Sequence, residues 1–231
     1  MKRQGRLLLF AKPPLTGRVK TRLAARLGTI RATAVHRLLL EHALETARCA
    51  PCPAELWCAP PVAHPHLRSR ARRLGLPLQR QRGRDLGARM AHAFRATLRH
   101  HRPALLMGSD CPLLEAGQLQ QALAVLEAGR DAVLIPAEDG GYVLLGLRRH
   151  APRLFRDMPW GGAEVLARTR LRLRQEGLWW EELPPLFDVD RPEDLGRLLE
   201  TAAPAHSRLA RLQWRLRALL GTPWTASGGP L

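Results

Sequence analysis

Short apolar runs bounded by Pro, Gly or Asp recur along the chain and predict buried β-strands. The first run, RLLLFA at residues 6 to 11, ends at Lys-Pro-Pro, which favours a loop directly after the strand. Runs of the same kind predict strands at residues 54–58, 76–79, 104–107, 131–136, 142–147 and 179–183. Seven short strands are therefore expected, spread along most of the length of the chain.

Between these runs the apolar residues recur at helical spacing. Helices are predicted at residues 21–27, 29–48, 64–74, 115–128 and 162–176, and a further helix opens at Asp85, a suitable N-cap. Strands that alternate with helices predict an α/β fold: a three-layer sandwich with a mostly parallel central sheet. In such sheets ligands gather beyond the carboxyl ends of the strands. Functional residues are therefore expected in the loops that follow the strands.

The end of the chain has a different pattern. Residues 204–220 predict a basic amphipathic helix, which carries Leu209, Leu212, Leu216 and Leu219 on one face. Docking on the domain or on a dimer partner is favoured over binding to a membrane surface. We expect one catalytic domain over residues 1–203, this helix, and a disordered tail at residues 221–231.

The chain of 231 residues has a net charge of +17, which would ordinarily indicate a polyanionic partner. Almost all of this charge is Arg, however, while Asn is absent and Lys occurs only at positions 2, 12 and 20. Codon bias in a GC-rich genome explains this pattern, so no nucleic-acid partner is expected. No apolar run is long enough to cross a membrane, and no signal peptide is recognisable. We expect a cytoplasmic protein without integral membrane association.

The loop after the first strand, KPPLTGRVKTRL at residues 12 to 23, is rich in cations. A strand, a glycine loop and a helix N-terminus together direct backbone N–H groups and cations at one anion. Lysine retained in an arginine-rich chain suggests a need for a compact ammonium. The candidates for phosphate or nucleotide binding are Lys12, Gly17, Arg18, Lys20, Thr21 and Arg22. A solvated basic turn is the alternative.

Aspartates follow two other predicted strands. GSDCP places Asp110 after the fourth strand, and FDVD places Asp188 and Asp190 after the last. Carboxylates at the same edge of a sheet suit Mg²⁺ or Mn²⁺, which also bind substrate phosphates. We therefore predict a metal site formed by Asp110 with Asp188 or Asp190, although Asp110 could simply cap a turn.

PAEDGGYVLLG, residues 136 to 146, combines a flexible glycine pair with Asp139, which could accept hydrogen bonds from hydroxyl groups. A plain hairpin turn would also explain it. Trp160 in the segment MPW could form an apolar wall beside a sugar or could simply pack in the core. The predicted donor or acceptor pocket comprises Asp139, Gly140, Gly141, Tyr142 and Trp160.

These motifs, together with RDLGARM at residues 84–90 and DVDRPEDL at 188–195, occur in one order over residues 7 to about 200. In this the chain resembles bacterial radical-SAM/selenodomain-associated transferases, also called arsenosugar-biosynthesis glycosyltransferases. The resemblance implies a nucleotide-diphospho-sugar transferase fold of the GT-A kind, with phosphates at Gly17, Lys20 and Arg22 and metal at Asp110. Gly87 in RDLGARM joins the nucleotide-binding candidates. Gly161 and Gly162 depart from the family, which often has Ser or Thr after Pro-Trp.

The leading hypothesis is metal-dependent glycosyl transfer from a nucleoside-diphosphate sugar to a small-molecule acceptor, with Lys20, Asp110 and Asp139 as catalytic residues. The opening loop also resembles that of 2-phospholactate guanylyltransferases, which keeps nucleotidyl transfer from a nucleoside triphosphate as the alternative. A basic nucleic-acid-binding domain is the third reading, and the arginine-rich segments lack the interleaved aromatic residues that it would need.

Overall fold

The computed structural model describes residues 5–60, 64–100 and 103–221. Its centre is a seven-stranded sheet in the order β3-β2-β1-β4-β6-β5-β7. The strands are β1 (Arg6–Ala11), β2 (Ala54–Cys58), β3 (Leu78–Arg80), β4 (Ala104–Met107), β5 (Ala132–Pro136), β6 (Tyr142–Leu147) and β7 (Trp180–Glu182). All pairings are parallel except those of β6 with its two neighbours. The predicted α/β sandwich with a mostly parallel sheet is confirmed.

Helices cover both faces of the sheet. They are α1 (Thr21–Arg48), α2 (Pro65–Leu74), α3 (Leu86–Leu98), α4 (Ala116–Glu127), α5 (Val165–Gln175), α6 (Pro192–Glu200), α7 (Arg208–Leu220) and a short 3-10 helix (Pro152–Phe155). Asp85 caps α3 as predicted, because its Oδ1 accepts a hydrogen bond from the Ala88 N–H at 2.8 Å.

Side-chain alternation along β1 divides the core. Leu7 and Leu9 pack into the cluster on one face of the sheet, and Leu8 and Phe10 pack into the cluster on the other. Successive side chains of a strand point to opposite faces, so a strand buried on both sides is apolar throughout. This accounts for the uninterrupted RLLLF run.

A third cluster joins the C-terminal helix to the rest of the molecule. Leu209, Leu212, Leu216 and Leu220 of α7 are buried against α1 and α6. The buried Gln213 side chain donates to the carbonyl oxygens of Leu198 and Thr201, at 2.8 and 2.7 Å. Helix α7 therefore packs as part of the described fold. The tail predicted at residues 221–231 lies outside the described residues, except for Gly221.

The two helices expected at residues 21–27 and 29–48 are confirmed. Gly28 lies between them within the α1 range, and its φ of 76° and ψ of 158° are not helical. Strand β6 is the antiparallel strand of the otherwise parallel sheet. It follows β5 after a tight turn, and a connection this short can only join antiparallel strands. The helix expected from residue 162 begins at Val165. Among the described residues, no helix is long and apolar enough to span a membrane.

Candidate active site

The sheet reverses its order of connection between β1 and β4. The chain first builds outward from β1 to β2 and β3, then returns to place β4 on the other side of β1. Loops that leave the carboxyl ends of two such strands diverge and open a crevice, where α/β proteins bind ligands. The basic loop follows β1 and the GSDCP loop follows β4, so both predicted functional loops lie at this position.

Lys20 lies at the centre of this crevice. Its Nζ is 3.0 Å from Asp110 Oδ1 and 2.7 Å from Asp190 Oδ1, and only 3% of its side chain is exposed, against 39% for each aspartate. Arg22 Nη1 lies farther off, 4.0 Å from Asp190 Oδ2, and its side chain is half exposed. The fold thus brings together cations of the basic loop and carboxylates from two other loops.

The backbone at Lys20 takes an unusual conformation. Its φ of 47° and ψ of 46° are left-handed, and it immediately precedes the first residue of α1. A non-glycine residue rarely adopts this conformation without compensating contacts. The ion pairs of the ammonium with Asp110 and Asp190 are contacts of that kind, and the turn holds the side chain inside the crevice.

Burial and neighbouring charges shift the pKa values of Lys20 and of the aspartates around it. Burial alone would lower the pKa of Lys20, but Asp110 and Asp190 raise it above its ordinary value. Burial would raise the pKa of Asp110, whereas the Lys20 ammonium holds it below the usual range. Asp188 differs: burial, followed by the charges of Asp139 and Asp190, raises its pKa to about 7. The environment of Asp188 therefore disfavours its charged form, whereas Lys20 favours the charged form of Asp110.

Two buried histidines of α1 hold the loops in place. His36 Nε2 lies 3.1 Å from the Lys12 carbonyl oxygen, and His42 Nε2 lies 2.9 Å from that of Pro112. A carbonyl only accepts, so both rings donate through Nε2. Burial lowers the pKa of both histidines, which favours the neutral form. Sequence reasoning missed these residues, because a histidine on an apolar helix face gives no local signal of its partner.

Hydrogen bonds to backbone groups fix the loop after β7. The Asp194 Oδ2 accepts from the backbone N–H of Asp190 at 3.0 Å and of Arg191 at 2.7 Å. The Val189 N–H donates to the Asp110 carbonyl oxygen at 2.9 Å. These bonds tie the FDVD loop to the GSDCP loop, and they set the position of Asp190 relative to Asp110.

A pocket of about 200 Å³ opens beside the crevice. Its lining includes Asp139, Gly141, Tyr142 and Trp160 from the predicted pocket, together with residues that the sequence did not indicate: Phe10, Leu86, Met90, Leu106, Gly108, Val143, Gly161, Gly162 and Val165. Asp139 Oδ1 accepts from the Gly141 N–H at 2.9 Å, which shapes the turn. The pocket is therefore largely apolar, with one carboxylate in its wall.

Two glycines serve packing around this pocket. Gly140 has a φ of 90°, and an added Cβ would lie 2.1 Å from the Ala163 carbonyl oxygen. A Cβ on Gly87 would lie 2.6 Å from Trp160 Nε1 and 2.5 Å from the Phe155 carbonyl oxygen. Gly87 thus lets α3 approach Trp160 closely. Gly87 is thus buried against Trp160, and its predicted nucleotide-binding role stays a prediction.

Residues 41–162, more than half of the sequence, match a family described as uncharacterized proteins conserved in bacteria, DUF2064. The chain belongs to the DUF2064 family. A match over this length includes the GSDCP motif, the DGG turn and Trp160, whereas the basic loop lies outside it.

Individual relatives of this DUF2064 protein point to transferases. A protein from Desulfovibrio desulfuricans G20, provisionally named a nucleotide-diphospho-sugar transferase, has a solved structure with a TM-score of 0.80 and 31% identity, covering 96% of this chain and 98% of that one. A 2-phospho-L-lactate guanylyltransferase from Methanoculleus marisnigri is 28% identical over 78% of this chain and 76% of its own length. The fold is also that of a cytidylyltransferase from Leptospira borgpetersenii serovar Hardjo-bovis, with 13% identity, a TM-score of 0.60, and coverage of 94% and 96%.

These comparisons confirm the transferase prediction and the nucleotide-diphospho-sugar transferase superfamily. They do not address the radical-SAM or arsenosugar association. The curated relative favours the nucleotidyl-transfer alternative over the leading glycosyl-transfer hypothesis.

The predicted residues of the DUF2064 protein fall into separate groups. Lys20, Asp110 and Asp190 meet in the crevice, whereas Lys12, Gly17, Arg18 and Thr21 are exposed around its entrance. The three predicted metal ligands do not form one cluster: within residues 5–60, 64–100 and 103–221, no three His, Cys, Asp or Glu side chains lie close enough to hold an ion. Lys20 instead lies between two of them. Three unpaired carboxylates would repel one another, and this ammonium relieves that repulsion.

Proposed function

We propose that this protein is a nucleotidyltransferase that moves a nucleoside monophosphate from a nucleoside triphosphate to a small-molecule acceptor. The observation that carries the proposal is the buried Lys20 ammonium, held between Asp110 and Asp190 where the loops of β1 and β4 diverge. The guanylyltransferase relative supports nucleotidyl transfer rather than glycosyl transfer.

The basic loop provides the phosphate site in this proposal. Lys20 is the buried cation, and the side chains of Lys12, Arg18 and Arg22 lie on neighbouring turns of the same segment. The first turn of α1 begins at Thr21, and helix N-termini favour anions through unpaired backbone N–H groups. Together these groups would hold the charge that develops on the departing pyrophosphate.

The residues also fit a divalent cation. The carboxylates of Asp110 and Asp190, which both lie beside the Lys20 ammonium, supply hard oxygen donors, with Asp188 two residues before Asp190. Asp110 and Asp190 would hold Mg²⁺ or Mn²⁺, with phosphate oxygens and water as the remaining ligands. Such an ion would supply charge neutralisation at the phosphates.

The transfer itself is a displacement at phosphorus. An acceptor oxygen forms a bond to the α-phosphorus while the bond from that phosphorus to the bridging oxygen of the β-phosphate breaks. Pyrophosphate leaves with the electron pair, and Lys20 lies where it can stabilise that charge. Asp139, in the wall of the neighbouring pocket, would orient the acceptor.

The proposal is tested by supplying the pure protein with each nucleoside triphosphate and, separately, with nucleoside-diphosphate sugars, in Mg²⁺ or Mn²⁺. Ligand-induced thermal stabilisation reports binding, and a pyrophosphatase-coupled phosphate assay reports turnover with a panel of small acceptors. We expect triphosphates to stabilise the protein and pyrophosphate to appear. Lys20→Met should lose this stabilisation, while Arg168→Met, on the exposed face of α5, should retain it.

Two results would count against nucleotidyl transfer. One is release of nucleoside diphosphate from a nucleotide sugar without any pyrophosphate from triphosphates, which would restore the glycosyl-transfer hypothesis. The other is equal stabilisation of the wild type and Lys20→Met by every triphosphate, which would remove the phosphate site from the crevice.

A further inference from the structure

The pocket beside the crevice has an unusual charge pattern for this protein. The chain carries 37 Lys and Arg residues, yet the thirteen described residues that line the pocket include no Lys, Arg or His. Asp139 is the carboxylate among them, and Phe10, Met90, Leu106 and Trp160 supply apolar surface. A ligand in this pocket would therefore meet no basic side chain among the described lining residues.

The pocket directly adjoins the proposed reaction centre. Phe10 lies on β1 just before the basic loop, and Gly108 precedes Ser109 and Asp110. Both line the pocket, so the pocket and the Lys20 crevice share the same edge of the sheet. A molecule seated in the pocket would lie beside the phosphates that the crevice holds. The pocket is therefore placed where an acceptor would bind beside a donor in the crevice.

The physical chemistry of the lining limits the class of that acceptor. A phosphate or carboxylate group placed in this pocket would lose hydration against apolar walls, would find no described cation there, and would face the Asp139 carboxylate. A ring or aliphatic group would instead bury apolar surface against Phe10, Leu106 and the indole of Trp160. A hydroxyl group could donate to Asp139.

We propose that the pocket binds the uncharged, apolar body of the acceptor, and that the acceptor is a neutral alcohol rather than a phosphorylated acid. This inference rests on the proposed nucleotidyl transfer. It separates the chain from the activity named for its guanylyltransferase relative, whose substrate 2-phospho-L-lactate is anionic.

A neutral acceptor also changes the proton balance of the reaction. The alcohol oxygen forms the new bond to the α-phosphorus, the bond to the bridging oxygen breaks, and pyrophosphate leaves with that electron pair. The hydroxyl proton must then go to a base. Asp139 is the carboxylate of the pocket wall and takes this proton, a step that an ionised phosphate acceptor would not need.

The test compares cyclohexanol with 2-phospho-L-lactate as probes, by saturation-transfer NMR on the full-length protein with and without GTP and Mg²⁺. Leu86 lines the pocket and is 42% exposed, so Leu86→Arg introduces a cation without disturbing the core. Leu171→Arg is the matched control, because Leu171 is 48% exposed on α5 and is not part of the lining. We expect cyclohexanol to bind the wild type and Leu171→Arg equally, and Leu86→Arg about tenfold more weakly.

Three outcomes would overturn the inference: no saturation transfer to cyclohexanol, displacement of cyclohexanol by 2-phospho-L-lactate, or displacement by GTP, which would place the nucleobase in the pocket. Thermal stabilisation by triphosphates is measured on the same samples. Binding of cyclohexanol that depends on Leu86, without any stabilisation by triphosphates, would refute the proposed function and leave the apolar pocket intact. The reverse pattern would refute only the neutral acceptor.

Discussion

Replacing Lys20 by Met tests the centre of the site most directly. Methionine keeps an unbranched apolar stem of similar length and removes the ammonium that lies 3.0 Å from Asp110 and 2.7 Å from Asp190. The two aspartates then lose their buried counter-charge, and the half-exposed Arg22 remains 4.0 Å from Asp190 Oδ2. The variant should therefore be less stable than the wild type even when no ligand is present.

The size of the effect follows from burial. Removing one partner of a fully buried ion pair costs about 3–5 kcal/mol. Here the Lys20 side chain is buried, but each aspartate side chain is 39% exposed and can regain water. We therefore expect a loss of about 2 kcal/mol in the free energy of unfolding, and a Tm lower by about 4–8 °C for a chain of this size. Treating Lys20 as an ordinary exposed loop cation would predict almost no change.

Thermal unfolding followed by circular dichroism, without nucleotide or metal, measures this directly. Lys12→Met is the matched control, since Lys12 lies in the same loop but is exposed, and it should change the stability by less than about 0.5 kcal/mol. In the double variant Lys20→Met, Asp190→Asn, part of the lost stability should return, because one of the two opposed charges is gone. Equal Tm values for Lys20→Met and the wild type would refute the buried-counterion interpretation.

Four further predictions test other parts of the structure. Asp110→Asn should abolish metal-stimulated turnover in the pyrophosphate assay, and full turnover by this variant in excess chelator would exclude the metal role. Asp194→Asn weakens the hydrogen bonds to two backbone N–H groups, so it should cost about 1 kcal/mol in urea unfolding. His42→Gln tests pH dependence: burial lowers the folded-state pKa of His42, so its contribution is complete above the unfolded pKa of about 6.5 and is lost as the pH falls below it. Urea unfolding at pH 7.5 and 5.5 should show a smaller acid loss for His42→Gln than for the wild type, and identical losses would contradict this. Leu216→Ala, in the buried face of α7, should cost about 2–5 kcal/mol. Removal of residues 204–231 should therefore destabilise the fold, and a truncated protein with wild-type Tm would exclude this. Gly87→Ala should displace Trp160 and weaken cyclohexanol binding while sparing triphosphate binding, and unchanged cyclohexanol affinity would show that α3 adjusts instead.

Local sequence patterns were sufficient to predict the elements that carry the site. The run RLLLFA predicts a strand because both faces of β1 are buried, and Asp85 predicts the start of α3 because its side chain caps the helix. The position of Asp110 at the end of a strand also placed it correctly at the carboxyl edge of the sheet. Each of these inferences depends on neighbours within a few residues.

Contacts between distant residues were beyond such reasoning. Lys20 and Asp190 are 170 positions apart, and nothing near either residue indicates their ion pair. The same holds for His42 and the Pro112 carbonyl oxygen, 70 positions apart. Gly87 shows a third kind of limit, because nothing in its motif indicates that the indole ring of Trp160 packs against it. Packing of this kind depends on the tertiary structure.

The position of the Lys20 ammonium has a consequence for the order of events at the site. In the proposed function, a divalent cation and this ammonium would compete for the same two carboxylates, so the free metal alone would bind weakly. A triphosphate chain that draws the ammonium toward itself releases the carboxylates, and by thermodynamic linkage each ligand then increases the affinity for the other. Donor and metal would therefore arrive cooperatively, with the metal already carried on the nucleotide. In the resting protein the lysine would hold that place, which keeps the site from filling with metal before a donor is present.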